Sequence, residues 1–415
     1  MSTRSPIAAR SSEFTLRAAS SFAQIDAVSW DACANPAVLP PGTALGENPC
    51  ADDPFNPFVS HAFLNALEQS KSATARAGWS PCPLLVENPK GELVACAPAY
   101  LKTHSMGEYV FDHAFADAYE RAGGRYYPKL QVSVPFTPVT GRRLLVRNGA
   151  EHESARDTLI GGLAALMRQT GASSTHVTFA NEADWNALAE RGFLKRLDRQ
   201  FHWLNPGYRN FEEFLGVLAS RKRKVIRRER RDALRNGISI EWVTGGDITE
   251  AHLDAFFAFY MDTGSRKWGR PYLTRAFFTL LTEKLRERLL FVMAKRAGRH
   301  IAGAINLIGD LALYGRNWGC VEDHPFLHFE VCYYQAIEFA IHRKLARVEA
   351  GAQGEHKLAR GYVPAETHSA HLFADPRLSR AVADYLQNER RYVEMGNREL
   401  AEATPFRRGE AEPDE

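Results

Sequence analysis

The residues best suited to chemistry lie in one short stretch, Gly351–Lys357. A strand is expected to end just before it, and a helix is expected from about Glu355. Gly351 and Gly354 leave the backbone between them open, and Gln353, Glu355, His356 and Lys357 bring four polar side chains to the same turn. Amides at a helix N-terminus donate readily to an oxyanion or carboxylate. Such a turn suits acyl transfer to an amine, which needs donors for the tetrahedral oxyanion, a base for the ammonium proton and an acid for the leaving group. Glu330 and Tyr334 stand four residues apart in an expected helix, so they should share a face as a base–acid pair. Glu355 is the alternative base, and Lys357 the stabiliser of negative charge. Glu330 in a first helical turn also suits plain capping of the helix dipole.

Around this turn stand further candidates for holding a substrate. Arg316 interrupts an apolar strand, Leu313–Cys320, between Gly315 and Gly319, a spacing that fits a bulge. A buried arginine must be paired, either with a structural glutamate or with a substrate carboxylate. Trp318, His328 and Arg360 complete the expected substrate-binding set with Gly351, Gln353 and Gly354. Ser220–Arg231 carries eight basic residues and one glutamate in twelve positions. It is either a solvated helix or a phosphate clamp built on the face Arg223, Arg227 and Arg230. His368 and His371 form a pair without a third convergent ligand, so no metal site is expected. Cys320 and Cys332 read as small buried residues. There is no GxSxG elbow, Walker loop or dinucleotide fingerprint.

The elements that position these residues occur twice. Pro57–Leu67 and Pro271–Leu281 each read as a Pro-aromatic turn, a Ser/Thr cap and an amphipathic helix. A hairpin follows in both places, at Pro83–Ala97 and Leu290–Ile305. A helix, a strand and a short helix ending in Arg-Gly-Phe193 or Arg-Gly-Tyr362 close each copy. The fold class is therefore α/β, with two tandem domains built on mixed central sheets flanked by helices, at residues 14–206 and 207–400. Residues 1–13 and 401–415 read as disordered tails. The counterpart of the Gly351–Lys357 turn, Ala180–Asp184, lacks both glycines and the histidine, so the first copy reads as a binding or scaffold domain. Tyr126–Lys129 and Pro135–Pro138 either line a cleft between the domains or pack as loops. A net charge of +3 predicts no general attraction to nucleic acid or membrane. The six cysteines show no pairing pattern and fit a reducing cytoplasm, and no apolar run approaches the roughly 20 residues that cross a bilayer.

The segments Leu313–Cys320, Leu327–Gln335 and Gly351–Tyr362, with Ser220–Arg230 and Asn56–Phe58 in support, resemble the FemAB-like group of GNAT acyltransferases, in particular the branch of peptidoglycan biosynthesis or recognition proteins. The resemblance spans about residues 50–395. It implies two GNAT-like domains and acyl or aminoacyl transfer to an amine, on a peptidoglycan-type precursor or another small-molecule or peptide acceptor. In the Fem ligases a lysine follows the same strand, and Lys357 is its counterpart here. The co-substrate implied is acyl-CoA or aminoacyl-tRNA. Where GNAT enzymes hold the CoA pyrophosphate in a glycine-rich loop, Val321–Leu327 has no glycine and carries Glu322 and Asp323, which would repel a diphosphate. Two other classes remain open at this point: a non-catalytic module that binds a cell-wall precursor or peptide, and an RNA-associated protein using Arg221–Arg231.

Overall fold

A computed structural model describes residues 14–36, 54–267, 271–351 and 354–407. The expected tail at 1–13, Gln353 and the last eight residues lie outside the described residues. The chain is a mixed α/β structure organised on one long sheet. From edge to edge its strands are Ile238–Thr244, Leu289–Arg296, Arg299–Ile308, Ala312–Cys320, Arg347–Glu349, Leu194–Leu204, Val363–Phe373, Ser174–Ala180, Lys129–Val132, Ala99–Lys102 and Trp79–Pro81. A second sheet of four strands, Thr15–Ala18, Leu84–Glu87, Leu93–Ala97 and Leu145–Val146, packs against the helix His152–Thr170.

Strand pairing crosses the boundary expected near residue 206. Leu194–Leu204 lies between Arg347–Glu349 and Val363–Phe373 and is antiparallel to both. Val363–Phe373 in turn pairs with Ser174–Ala180. The last strand of each half is thus inserted beside strands of the other. The turn after Leu204 is tied down by Asn205, whose N–H donates to the Ala346 carbonyl at 2.8 Å and whose Nδ2 donates to the Leu345 carbonyl at 2.9 Å.

The repeated capped helices are present and meet at the junction of the halves. Ser60 Oγ caps His61–Gln69 by accepting from Phe63 N, and Thr274 Oγ1 caps Arg275–Leu285 by accepting from Phe277 N. The two helices pack together, with Phe63 and Phe277 edge to face at 5.7 Å. Thr274 Oγ1 also donates to the Ser70 carbonyl at 3.0 Å. One apolar core runs continuously from Phe22, Trp30 and Phe58 in the first half to Phe256, Phe291 and Tyr314 in the second.

The basic region lies in one helix, Ser220–Ala233, set apart from the preceding helix Phe211–Val217 because the intervening Leu218 and Ala219 pair with residues 405–407: Ala219 N donates to the Pro405 carbonyl at 2.9 Å and Arg407 N to the Val217 carbonyl at 3.1 Å. For the same reason residues 401–407 are not the tail expected from 401. Helix Pro376–Glu402 runs past 401, and residues 405–407 are hydrogen-bonded to the body of the protein.

Helix Glu250–Lys267 lies across the strand Ala312–Cys320, and Gly319 is what lets it approach: a methyl group there would collide with the Phe259 carbonyl. Gly319→Ala should therefore lower stability by about 1–3 kcal/mol in denaturant unfolding. Gly216→Ala, in a helix with open space beside it, should instead be neutral or stabilising by about 0.4–1 kcal/mol.

Candidate active site

The site forms where two parallel strands part. Ala312–Cys320 and Arg347–Glu349 pair only at Ala312↔Arg347, Leu313↔Val348 and Tyr314↔Glu349. On the other flank Ile305 faces Asn317 but Asn306 faces Gly315, so Arg316 is the extra residue of a β-bulge. The expected bulge is therefore present, and it re-aims Arg316 at the opening between the strands. Arg316 Nη1 donates to the Gly315 carbonyl at 2.7 Å and approaches the Glu349 carbonyl at 3.5 Å. Its guanidinium lies over the Phe58 ring at 4.7 Å. Nε and Nη2 are screened from solvent and have no hydrogen-bond partner among the described residues. Burial pulls the Arg316 pKa down to about 10.

Lys357 reaches the same opening from the other side. Gly351 and Gly354 both take left-handed backbone, φ +80° and +119°, which lets the chain double back after Glu349 into a short 3₁₀ helix, Glu355–Arg360. That helix carries Lys357 inward until it is 1% exposed. Its Nζ donates to the carbonyls of Ala350, at 2.8 Å, and Gly351, at 2.9 Å. An ammonium has three donors, so one remains. Burial, followed by repulsion from Arg316, depresses its pKa to about 8. Of the helix amides expected as donors, Lys357 N is already bonded to the Gly354 carbonyl at 3.0 Å.

The expected Glu330–Tyr334 pair does not form. Residues Glu330–Tyr334 make a π-helical turn within the run Leu327–His342. A π turn brings i and i+5 together instead of i and i+4, and Gln335 Nε2 accordingly donates to Glu330 Oε1 at 2.7 Å. Arg230 grips the same carboxylate, Nη2 to Oε1 at 3.0 Å, while bridging to Glu338 at 2.6 Å. Glu330 is fully buried in that network and is not free to act as a base. Tyr334 turns the other way and donates to Glu229. Arg360 Nη2 bonds both Glu229 oxygens at 3.0 Å, with its guanidinium stacked 3.5 Å over Phe329. Arg360 is therefore engaged in a buried ion pair with Glu229.

His356, Tyr333, His328 and Trp318 form a chain of rings beside the turn. Tyr333 Oη lies 2.9 Å from His356 Nε2, the His328 ring is 5.4 Å from that of Tyr333, and Trp318 is 5.2 Å from His328. Burial, then Arg360 and Lys357, lowers the His356 pKa, so its imidazole is neutral at pH 7. The side chain of Glu355 lies outside what the structure describes.

The proposed phosphate face also changes. Arg223 bonds the Gly216 carbonyl at 3.3 Å, Arg227 pairs with Glu212, and Arg230 is committed to Glu330. The opposite face, with Arg221, Lys222 and Val225, borders a cavity of about 310 Å³ floored by Glu229 and Arg360. A second cavity, of about 260 Å³, lies between the halves, with Asn56, Thr140 and Arg142 on one side and Tyr314, Arg347 and His368 on the other. Beside it is Glu349, wholly buried, 2.9 Å from Arg347 Nε and 3.4 Å from Thr140 Oγ1. Burial opposes its charge, but His202, Arg347 and Arg316 prevail and hold its carboxyl below the usual range. The aromatic segments 126–129 and 135–138 do not border that cavity. Tyr126 and Lys129 are buried in a network with Glu108 and Asp112. His368 packs on Trp185 while His371 faces His176 inside the core, so the two histidines point apart, as the period-two strand requires.

Glu229, Tyr333 and Glu349 were not among the residues expected from sequence. Glu229 had a signal, as the one acid within Ser220–Arg231; Glu349 had another, as a charge at an inward position of a short strand.

The bulged strand, the parting of the parallel pair and the doubled arrangement of helices and sheets define a tandem acyltransferase-type fold of the GNAT class. The sequence matches the FemAB-like family, described as peptidoglycan biosynthesis/recognition, over residues 21–408, and the chain belongs to that family. No curated protein is significantly similar to it in sequence. Among solved structures it is similar to FemX, at 12% identity and TM-score 0.48, covering 76% of this chain and 93% of that one. It is also similar to a tandem GNAT protein from the clavulanic acid biosynthesis pathway, at 13% identity and TM-score 0.43, covering 88% and 99%. A third is L-PGS from Bacillus licheniformis, at 9% identity and TM-score 0.46, covering 77% and 95%.

If Glu330 is structural, Glu330→Gln should lower stability by about 2 kcal/mol, the worth of a charged hydrogen bond. Ligand binding at saturating concentration should persist in the variant, as read by calorimetry below its melting point.

Proposed function

We propose that the protein is an N-acyl or aminoacyl transferase acting on a peptidoglycan-type amine acceptor, with Lys357 and Arg316 as the groups that stabilise the transition state. One observation carries this reading. Two cations, buried Lys357 and half-buried Arg316, sit where the strands part, on the consecutive carbonyls of residues 349–351, with donors that no described residue fills: Nε and Nη2 of Arg316, and the third on Lys357 Nζ. Buried donors without partners are rare in a finished structure, and an anionic group supplied during a reaction satisfies them.

The chemistry follows from that placement. The acceptor amine attacks the acyl carbonyl carbon, a C–N bond forms, and the carbonyl electron pair moves to oxygen. Lys357 and Arg316 hold that oxyanion. Neutral His356, held by Tyr333, takes the ammonium proton and returns it to the leaving oxygen or sulfur as the C–O or C–S bond breaks. The second cavity, between the halves, suits the acceptor. The cationic first cavity, at Arg221 and Lys222, suits the anionic part of the donor. The glycine-free loop after Cys320 favours aminoacyl-tRNA over acyl-CoA. Its Glu322 is engaged by Arg296 at 2.7 Å and His324 at 3.1 Å, so the loop lacks the open amide cradle a diphosphate needs.

The test is product formation, followed by mass spectrometry, from aminoacyl-tRNA or acyl-CoA with a muropeptide precursor. Lys357→Ala should reduce kcat by about 10²–10³-fold, the cost of one oxyanion donor. No product with any donor, or a fully active Lys357→Ala, would overturn the proposal; binding without turnover would point to a recognition module instead.

Because Lys357 acts in its protonated form, activity should fall as pH rises through about 8. Lys357→Arg, which stays charged, should remove that alkaline limb while keeping measurable turnover.

A further inference from the structure

Far from that opening, three ligating groups from three elements converge at the outer edge of the large sheet. Glu241 stands on the edge strand Ile238–Thr244, His300 on Arg299–Ile308, and His252 in the first turn of helix Glu250–Lys267. Their ligand atoms all lie within 4.8 Å of one another. His300 Nε2 is 2.8 Å from Glu241 Oε1, and His252 Nε2 is 3.9 Å from the same oxygen. We propose that these residues form a divalent transition-metal site of the zinc class, binding through His252 Nε2, His300 Nε2 and Glu241 Oε1 with a fourth position left to water.

The geometry needs little adjustment. Metal–ligand bonds of about 2.0–2.1 Å in a tetrahedron place neighbouring ligand atoms about 3.4 Å apart. The His300–Glu241 separation must open by roughly half an ångström, His252–Glu241 close by as much, and the two histidine nitrogens, within 4.8 Å of each other, close by up to about 1.4 Å, all within reach of side-chain torsions. The outer shell is also in place. Lys295 Nζ donates to the other oxygen, Glu241 Oε2, at 2.7 Å, which fixes the carboxylate with Oε1 toward the histidines. His252 Nδ1 lies 3.0 Å from Thr249 Oγ1, an acceptor for the proton that Nδ1 must carry when Nε2 binds a metal. Without metal the Thr249 N–H approaches the same nitrogen at 3.2 Å, and binding exchanges that bond for one from Nδ1–H to the hydroxyl. All three ligands are half-buried, so a small ion can enter from solvent. The positive charge of Lys295 weakens the site, and the chemistry is that of imidazole and a single carboxylate, which suits Zn²⁺, Ni²⁺ or Co²⁺ over Ca²⁺ or Mg²⁺. Such an ion ties the helix that lies across Ala312–Cys320 to the edge strand of the same sheet.

The full-length protein, stripped with chelator, is titrated with CoCl₂ and followed by its visible d–d bands, with ZnCl₂ added as competitor. One equivalent of Co²⁺ should give the intensified bands of a four- or five-coordinate site, and one equivalent of Zn²⁺ should displace them. His252→Ala and His300→Ala should each weaken Zn²⁺ binding by about 100-fold or more, and Thr249→Val by about 10-fold, since outer-shell losses alone cost about 10–100-fold. His324→Ala, a histidine outside the cluster, should leave the titration unchanged. Circular dichroism melts of the metal-free variants separate lost ligation from lost folding, and Thr249→Val provides a milder second probe. The cluster is an ion-pair network only, and the proposal falls, if no Co²⁺ bands appear or if they survive in both folded histidine variants.

Discussion

The structure of the second half depends on placing two positive charges, Arg316 and Lys357, where two parallel strands separate. Like charges removed from water repel, and burial alone already disfavours both. What makes the arrangement tolerable is the run of backbone carbonyls at residues 349–351, which face the two cations. The carbonyls need donors and the cations need acceptors, so each resolves the other's burial. The residual cost appears in Lys357, whose pKa drops to about 8. Much of the surrounding chain serves this placement. The bulge turns Arg316 inward, the two left-handed glycines fold the chain back, and Phe58 from the first half supplies a ring face for the guanidinium.

That last contact explains why the two halves are bound so closely. A cation resting on a ring contributed by the other half requires that the halves not slide. The exchanged strands Leu194–Leu204 and Val363–Phe373 fix the register between them, and the capped helices His61–Gln69 and Arg275–Leu285 lock the opposite side. Buried Glu349, which draws on Arg347, Arg316 and His202 together with Thr140, joins both halves to the parting of the strands.

The parts of this arrangement with local causes were legible in the sequence. Gly351 and Gly354 announced a turn that only left-handed backbone could make, and an arginine between two glycines in an apolar strand announced the bulge. The repeated Pro-aromatic turn with its Ser or Thr cap marked the duplication. Other features have no local signature. A π turn at Glu330–Tyr334 is an insertion in helical phase, set by packing of Tyr334 onto Glu229 and Glu330 onto Arg230 rather than by residue type. Counting four residues along the helix therefore joined the wrong partners. The partners of Arg223, Arg227 and Arg230 were hidden for a related reason: each comes from a distant or neighbouring element that periodicity cannot supply. Strand exchange is likewise a matter of non-local pairing, because an alternating strand does not encode which neighbour it will meet.

The central claim is that Lys357 is a buried, charge-repelled ammonium held on carbonyls beside Arg316. The most direct measurement is an NMR pH titration of lysine side chains labelled with ¹³C and ¹⁵N, with the Lys357 signal assigned by its loss in Lys357→Arg. The account predicts a midpoint near 8 that rises when Arg316 is replaced by Gln. A Lys357 that titrates at the ordinary lysine value of about 10.4, indifferent to Arg316, would contradict it.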